Sequence, residues 1–314
     1  MKVNETRRSI LGIIRKNNSW ISGEFLSHKY NISRVAVWKH IKALQVDGYN
    51  IESGHRGYKL LEEGDNLSSM DFESAERILF YKELESTMSE AASRMKEAGE
   101  ESQDFIILAD HQLAGVGRDG ENWISPSGGI YMTCGINRSL PLSEASLIPL
   151  RGILTVLQSL KSTGVLNPHF CWPGDIMIQD RKVGGVLEEY HVRRGQICWY
   201  ALGIGLHIND KIPGQSLASI ADITGINLNR KKIVRLLKET WEKNLCLSPA
   251  ELCRDLIPYA GFLHKHVRIH TRLNEIIEGI AQSIDTEGRL CLVSDSYTTR
   301  VLTGESLRLT ISGE

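Results

Sequence analysis

A strand-like run with a glycine-rich turn a few residues after it constrains this chain more than any other feature. Residues 105–109, FIILA, are continuously apolar and favour a buried strand. The turn that follows, GVGRDG, contains Gly115, Gly117 and Gly120 around Arg118. Glycines let a backbone fold closely over a ligand, and an arginine held there can bind a phosphate or carboxylate through two parallel hydrogen bonds. A Gly-x-Gly alone is also typical of an ordinary turn, so the interpretation depends on the segments around it.

Those segments predict a layered domain. From residue 67 onward, helical and strand-like patterns alternate, which indicates an α/β or α+β domain. We expect a helix that begins at Ser69 or Asp71 and continues to Leu79, a strand at 81–85, and a helix at 88–97 opened by the hydroxyls of Ser86 and Thr87. A long helix is predicted around 144–163. Strand-like runs follow at 170–178, 182–189 and 199–209.

The charges divide the chain into a basic and an acidic part. Residues 1–60 hold 11 Lys/Arg and 4 Asp/Glu, a net +7, whereas the other 254 hold 26 and 34, a net −8, which together give the overall −1. A length of 314 residues accommodates two or three domains. A small basic domain in front of a larger acidic one indicates a nucleic-acid anchor joined to a different activity.

The basic part has the pattern of a winged helix. Three short helices are predicted. The first lies at 8–16, and the third lies at 34–44 with Ser33 as its N-cap. The second begins after its N-cap Ser22, with Phe25 and Leu26 turned inward. In the third helix, Val37, Ile41 and Leu44 form an apolar stripe, so the polar faces of the helix are free. Residues 48–51 and 54–60 predict a two-stranded wing. The side chains expected to face DNA are Ser33, Arg34, Trp38, Lys39, Lys42 and Arg56.

A three-helix bundle with an ordinary solvated basic face is the alternative. The segment 62–65 is the expected linker.

Several classes of protein are disfavoured by composition. No apolar run reaches the roughly 18 residues of a membrane span, and the N-terminus has no signal-peptide core. The six cysteines are scattered without a CxxC pair, which disfavours a zinc site. We therefore expect a cytoplasmic protein with reduced thiols, no membrane partner and no metal ligands among its side chains.

Taken together, these motifs resemble the bifunctional biotin–protein ligase and biotin-operon repressor family along almost the whole chain. The order is winged helix, Ser86-Thr87, glycine loop, Trp172-Pro173-x-Asp175, then KVGGVLEE at 182–189 and GIGLHIN at 203–209. Segments 259–262, 267–270, 284–292 and 304–309 match the family's last, SH3-like strands. The resemblance implies a multidomain α+β protein. Its parts are an N-terminal winged helix-turn-helix at 1–65, a central α/β biotin-ligase (class II synthetase-like) domain at 66–260 and a C-terminal SH3-like β-barrel at 261–314.

The activity implied by this resemblance is specific. Such enzymes join biotin to ATP with Mg²⁺ as biotinoyl-5′-adenylate and pass the acyl group to a lysine of a biotin carboxyl carrier protein. The adenylate-loaded form dimerises on operator DNA as a repressor. Arg118 and Lys182 would be catalytic. The ligand would contact Ser86, Thr87, Met88, Gln112, Gly115, Val116, Gly117, Arg118, Trp123, Cys171, Gly185 and Gly205.

Four positions depart from the family pattern. Val116 replaces a cation in the glycine loop, Cys171 and Gly174 replace a lysine and an asparagine, and His207 replaces an asparagine. Loss of a fixed cation where negative charge develops typically costs about 3–4 kcal/mol of transition-state stabilisation. Arg118, Lys182 or Arg181 could supply the charge. Two interpretations stay open: a working ligase that also represses, and a DNA-binding sensor of biotin or a related acid with impaired catalysis. A lipoate-type ligase fits the Ser-Thr helix and the glycine loop less well.

We predict that Lys39→Ala and Lys42→Ala weaken binding to a two-fold symmetric operator, because both lysines belong to the polar side of the capped third helix. The measurement is operator affinity at moderate salt, with a folding check on each variant. Unchanged affinity in both variants would rule out this face.

Overall fold

The computed structural model describes residues 2–17, 19–62, 64–72, 77–98, 103–212, 217–271, 275–294, 297–301 and 308–311. The chain divides into two compact units, Met1–Glu76 and Arg77–Glu314. Within the described ranges, no helix combines the length and the apolar character needed to cross a bilayer.

The first unit has three helices and a hairpin. Its elements are α1 (Lys2–Lys16), α2 (Gly23–Tyr30), α3 (Arg34–Val46), β1 (Asn50–Gly54) and β2 (Gly57–Glu62), with β1 and β2 antiparallel. The predicted caps are confirmed: Ser22 accepts the Phe25 N–H and Ser33 accepts the Ala36 N–H. The predicted stripe of α3 is fully buried in the core of the unit.

One inward-facing residue of α2 was predicted wrongly. Leu26 is fully buried, but Phe25 is 49% exposed. Neighbouring positions on a helix point about 100° apart, so the side on which α2 packs buries Leu26 and leaves the Phe25 ring partly in solvent. The Lys29 ammonium lies 5.7 Å from the Phe25 ring centroid, which gives the exposed ring a cationic partner.

The first unit continues past the boundary predicted at residue 65. Asp71 accepts hydrogen bonds from the Tyr49 hydroxyl at 2.5 Å and from Arg15 at 2.7 Å, and Met70 is buried in the core of this unit. The helix expected from Ser69 or Asp71 to Leu79 is wrong in the described residues, because 69–72 form turns and bends and a strand begins at Ile78. Residues 73–76 of that predicted helix lie outside the described residues.

The second unit is built on one large, mostly antiparallel sheet. Its strand order is β3-β4-β5-β10-β9-β8-β7, with β6 beside β10 and only β3 and β4 parallel. The strands are β3 (Ile78–Leu84), β4 (Phe105–Gln112), β5 (Ile130–Ile136), β6 (Leu140–Pro141), β7 (His169–Cys171), β8 (Asp175–Ile178), β9 (Arg181–Arg193) and β10 (Gln196–Leu206).

Helices cover both faces of this sheet. α4 (Thr87–Ala98) packs on one face and α5 (Leu147–Ser162) on the other, while α7 (Arg230–Asn244) and α8 (Pro249–Leu256) pack against α5. The short helix α6 (Ile220–Thr224) follows β10 in the chain. Successive residues of a strand point to opposite faces. Accordingly, Ala201 of β10 packs in a cluster with α4, whereas Leu202 contacts α5 at Gly152. The alternation of strands and helices predicted from residue 67 onward therefore forms a three-layer core.

The C-terminal part of the second unit is a five-stranded antiparallel sheet in the order β14-β13-β12-β11-β15. Its strands are β11 (His266–His270), β12 (Ile276–Ile284), β13 (Leu290–Ser294), β14 (Tyr297–Val301) and β15 (Arg308–Ile311). Residues 259–262, predicted as a strand, form instead a short helical turn and a loop after α8. Residues 304–307 lie outside the described residues, and closure into a barrel stays a prediction.

A buried carboxyl group in the large sheet generates a pH prediction. Burial raises the pKa of Glu188 to about 7, although the Tyr200 hydroxyl, which donates to the carboxylate, opposes this. The folded state then keeps a proton that the unfolded chain loses near pH 4.5. Stability should therefore fall as pH rises from about 4.5 to about 7, by on the order of 3 kcal/mol.

The test compares urea unfolding at pH 5 and pH 8. Glu188→Gln keeps the shape and hydrogen-bonding capacity of the side chain, so it should lose that part of the pH dependence. Glu189→Gln, on the exposed neighbouring residue, is the control and should behave as the parent protein. Equal pH dependence in all three proteins would contradict the assignment.

Candidate functional site

A cavity of about 700 Å³ lies on the α4 side of the large sheet and gathers almost all the residues predicted to bind ligand. Of that set, the residues that line it are Ser86, Thr87, Met88, Gln112, Val116, Gly117, Arg118, Trp123, Cys171, Lys182, Gly185 and Gly205. Sequence positions more than 100 residues apart therefore converge at one place.

Gly115 is the predicted ligand residue that the cavity lining does not include. Its carbonyl accepts the Trp123 N–H at 2.8 Å, which closes the glycine loop on itself. A Cβ at this position would lie 2.5 Å from the Trp123 carbonyl oxygen and 2.6 Å from the Ser125 hydroxyl. The glycine is thus explained by close packing within the loop.

A buried chain of hydrogen bonds fixes the polar end of the cavity. Thr133 donates to the Thr87 hydroxyl at 2.9 Å, the Thr87 hydroxyl and N–H both donate to Gln112 Oε1, and Gln112 Nε2 donates to Ser125 at 2.8 Å. The Ser86 hydroxyl is buried and has no hydrogen-bond partner among the described residues. Because an unpaired buried hydroxyl is costly, it is suited to bind a polar ligand group.

The opposite charges of the cavity meet at one carboxylate. Asp175 Oδ1 pairs with Arg118 Nη2 and, at 2.9 Å, with Lys182 Nζ. All three side chains are roughly one quarter exposed. The described lining contains one arginine, Arg118, and one lysine, Lys182. An anionic ligand would therefore compete with Asp175 for both cations.

The indole of Trp123 forms a further wall. The Lys182 ammonium lies 5.4 Å from its ring centroid, and the imidazole of His207 stacks on it. Gly205 is needed here, because a Cβ would lie 2.6 Å from Trp123 Nε1. Behind this wall, burial and then the Asp210 carboxylate raise the pKa of Tyr131, which remains a neutral hydroxyl donating to the Pro126 carbonyl.

Two departures from the family pattern lie on the β7–β8 side of the cavity. Cys171 lines it, and its thiol contacts the Leu309 carbonyl at 3.6 Å. Gly174 is buried, and a Cβ there would lie 3.2 Å from the Val186 carbonyl oxygen. Arg181, one candidate for the missing charge, is not in the lining and donates instead to the Leu217 carbonyl. Arg118 and Lys182 therefore remain as the cations of the described site.

Three of the groups that organise the site were not predicted from the sequence. Asp175 belongs to the quoted Trp-Pro-x-Asp motif, but its pairing with Arg118 joins residues 57 positions apart. Thr133 and Ser125 lie in ordinary strand and loop patterns, which carry no sequence signal for a buried hydrogen-bond chain.

The first unit presents the predicted DNA-facing residues as an exposed set. Around the capped start of α3, the side chains of Ser33, Arg34, Trp38, Lys39 and Lys42 are exposed, and Arg56 is exposed at the turn between β1 and β2. Trp38 is 49% exposed, which is unusual for an indole and is consistent with a contact surface.

Comparison with known proteins gives three family matches in chain order. An HTH domain matches residues 6–59, the Biotin/lipoate A/B protein ligase family matches residues 80–209, and the Biotin protein ligase C terminal domain matches residues 262–305. These matches define a class of protein that joins a helix-turn-helix domain to a ligase domain.

Individual relatives extend along the full chain. The Bifunctional ligase/repressor BirA of Escherichia coli is 28% identical over 332 aligned residues, covering 98% of this chain and 99% of that protein. The protein of the same name from Bacillus spizizenii is 26% identical, covering 95% and 97%. The chain is thus similar over its full length to proteins named for both ligase and repressor roles, and its residues 80–209 match the biotin/lipoate A/B protein ligase family between a helix-turn-helix domain and a C-terminal ligase domain.

A solved structure confirms the fold of the second unit. The biotin protein ligase from Aquifex aeolicus in complex with biotin and ATP aligns with a TM-score of 0.62 at 23% identity. The alignment covers 75% of this chain and 99% of that one.

The shared carboxylate predicts how the site responds to an anion. Asp175→Asn should tighten the binding of inorganic pyrophosphate about three- to tenfold, because the carboxylate no longer competes for Arg118 and Lys182. Calorimetric titration measures this. Asp180→Asn, which removes an exposed carboxylate from the same lining, is the control for general charge. If both variants tighten binding equally, direct competition at Asp175 is excluded.

Proposed function

We propose that this protein is an ATP-dependent biotin–protein ligase that also represses transcription through its helix-turn-helix domain. The observation that carries the proposal is the single cavity that holds twelve of the thirteen residues predicted to be catalytic or ligand-binding. Full-length similarity to bifunctional ligase/repressors supports the combination of the two roles.

The two ends of the cavity suit the two ends of biotin. The hydroxyl and amide groups around Ser86 and Gln112 can hydrogen-bond the neutral ureido ring, since they offer both donors and acceptors. Arg118 and Lys182 provide the positive charge that the carboxylate requires. Trp123, on the nucleotide side, provides a flat aromatic surface for a base.

The proposed chemistry has two steps. A biotin carboxylate oxygen attacks the α-phosphorus of ATP, forming the acyl phosphate bond of biotinoyl-5′-adenylate and releasing pyrophosphate. Arg118 and Lys182 stabilise the negative charge that increases at the phosphate oxygens. A carrier-protein lysine, as a neutral amine, then attacks the acyl carbon, loses a proton and releases AMP.

Magnesium fits this site as an ion carried by the nucleotide. No group of three or more potential metal-ligating side chains occurs in the described part of the chain, and Asp175 already pairs with two cations. Mg²⁺ normally keeps several waters and binds through substrate phosphates, whose charge it neutralises. The carboxylates of the described lining are Asp119, Glu121, Asp175 and Asp180, of which Asp175 is already paired.

Repression is proposed to use operator DNA with two half-sites and a ligand-promoted homodimer. Two half-sites are expected because one winged helix alone buries little area on DNA. The contact surface consists of the exposed residues of α3 and the turn at Arg56. The adenylate is the proposed corepressor. A cytoplasmic location follows from this role.

The ligase proposal is tested by titrating biotin alone and with MgATP, and then assaying adenylate and transfer to a carrier domain. Lys182→Ala should slow adenylate formation about 10²- to 10³-fold, because it removes charge from the transition state. Arg193→Ala, an exposed arginine at the other end of β9, should leave the rate unchanged. Biotin binding without adenylate formation in the parent protein would contradict the ligase proposal.

That outcome would favour the second candidate, a regulator that senses biotin or a related acid. The observation behind it is the absence of the family's lysine and asparagine at Cys171 and Gly174. Under this alternative, Cys171→Lys, alone or with Gly174→Asn, should raise adenylate formation at least about tenfold, or roughly 1.4 kcal/mol. A parent rate typical of enzymes, with no gain in the variants, would exclude it.

A further inference from the structure

A buried histidine–aspartate pair lies behind the Trp123 wall. His207 Nδ1 and Asp210 Oδ2 are 2.6 Å apart, and both side chains are fully buried. The backbone around them is fixed too, because His207 N–H donates to the Val183 carbonyl and its own carbonyl accepts the Ile220 N–H. The histidine of this pair occupies the position where the resemblance to the ligase family implies an asparagine.

The imidazole of His207 stacks on the indole of Trp123. The ring centroids are 5.2 Å apart and the planes differ by 19°. The bond to Asp210 sets the orientation of the imidazole, as a carboxylate at one ring nitrogen commonly does. Because the imidazole cannot rotate without breaking that bond, it offers the indole a fixed surface.

Packing, rather than hydrogen bonding, holds the indole in place. Trp123 Nε1 is buried and has no hydrogen-bond partner within the described residues. The contacts that define its position are His207, Gly205 and the Lys182 ammonium. An asparagine at 207 would have no ring to stack, so the indole would lose one of these contacts.

Resting on the proposed function, we propose that His207, oriented by Asp210, is a positioning residue that fixes Trp123 as the wall for the nucleotide. His207 itself is not part of the cavity lining and acts through the indole. The effect is specific to ATP, because the groups assigned to biotin lie around Ser86 and Gln112.

The test uses two double variants of the full chain that share Asp210→Asn, so that neither leaves a buried charge unpaired. His207→Asn with Asp210→Asn removes the ring, whereas His207→Phe with Asp210→Asn keeps one. The first should raise the KM for ATP about three- to tenfold, with the Kd for biotin and kcat within about twofold. The second should restore the parent KM. His191→Asn, at a second histidine–tryptophan stack outside the cavity lining, is the control.

A readout independent of activity separates this proposal from the proposed function. Acrylamide quenching of Trp123, taken as the difference between each protein and its Trp123→Phe counterpart, should increase in the asparagine variant and not in the phenylalanine variant. If no adenylate forms but quenching behaves in this way, the ligase proposal fails and the positioning role stands. Unchanged quenching, or equal losses of biotin and ATP binding, would overturn the positioning role.

Discussion

The close approach of Trp123 to the backbone of β10 is the constraint on which the cavity depends. β10 is the central strand of the large sheet, paired with β5 on one side and β9 on the other. At Gly205 this strand has no side chain, and the indole occupies the space that a Cβ would fill. The glycine loop is tied to Trp123 through the Gly115 carbonyl, so the position of the indole also sets the position of the loop.

Asp175 balances the positive charge of the cavity by pairing with both of its cations. Two cations on separate elements, Arg118 in the loop and Lys182 on β9, would repel each other if no anion lay between them. The carboxylate lies between them and neutralises both until a ligand anion takes its place. The chain thus keeps an anion-binding arrangement even though Cys171 replaces the cation that the family pattern places on β7.

Much of this could be predicted from the sequence, because the responsible signals are local. The caps Ser22 and Ser33 and the stripe of α3 follow from helical periodicity and capping, and the glycine loop follows directly after its strand. Predictions were wrong where long-range packing decides. Phe25 is exposed because of the side on which α2 packs, and Ile78 enters a strand because it pairs with β4. The Asp175 bridge was missed for a similar reason, since its partners meet only in the folded sheet.

The unpaired hydroxyl of Ser86 has a consequence for discrimination among small acids. A fatty acid of similar length could satisfy Arg118 and Lys182 equally well through its carboxylate. Its hydrocarbon end would leave the buried Ser86 hydroxyl without a hydrogen bond, and a buried polar group left unpaired strongly disfavours such a ligand. The position of this hydroxyl therefore favours an acid whose far end carries hydrogen-bonding groups over an acid that ends in a hydrocarbon chain.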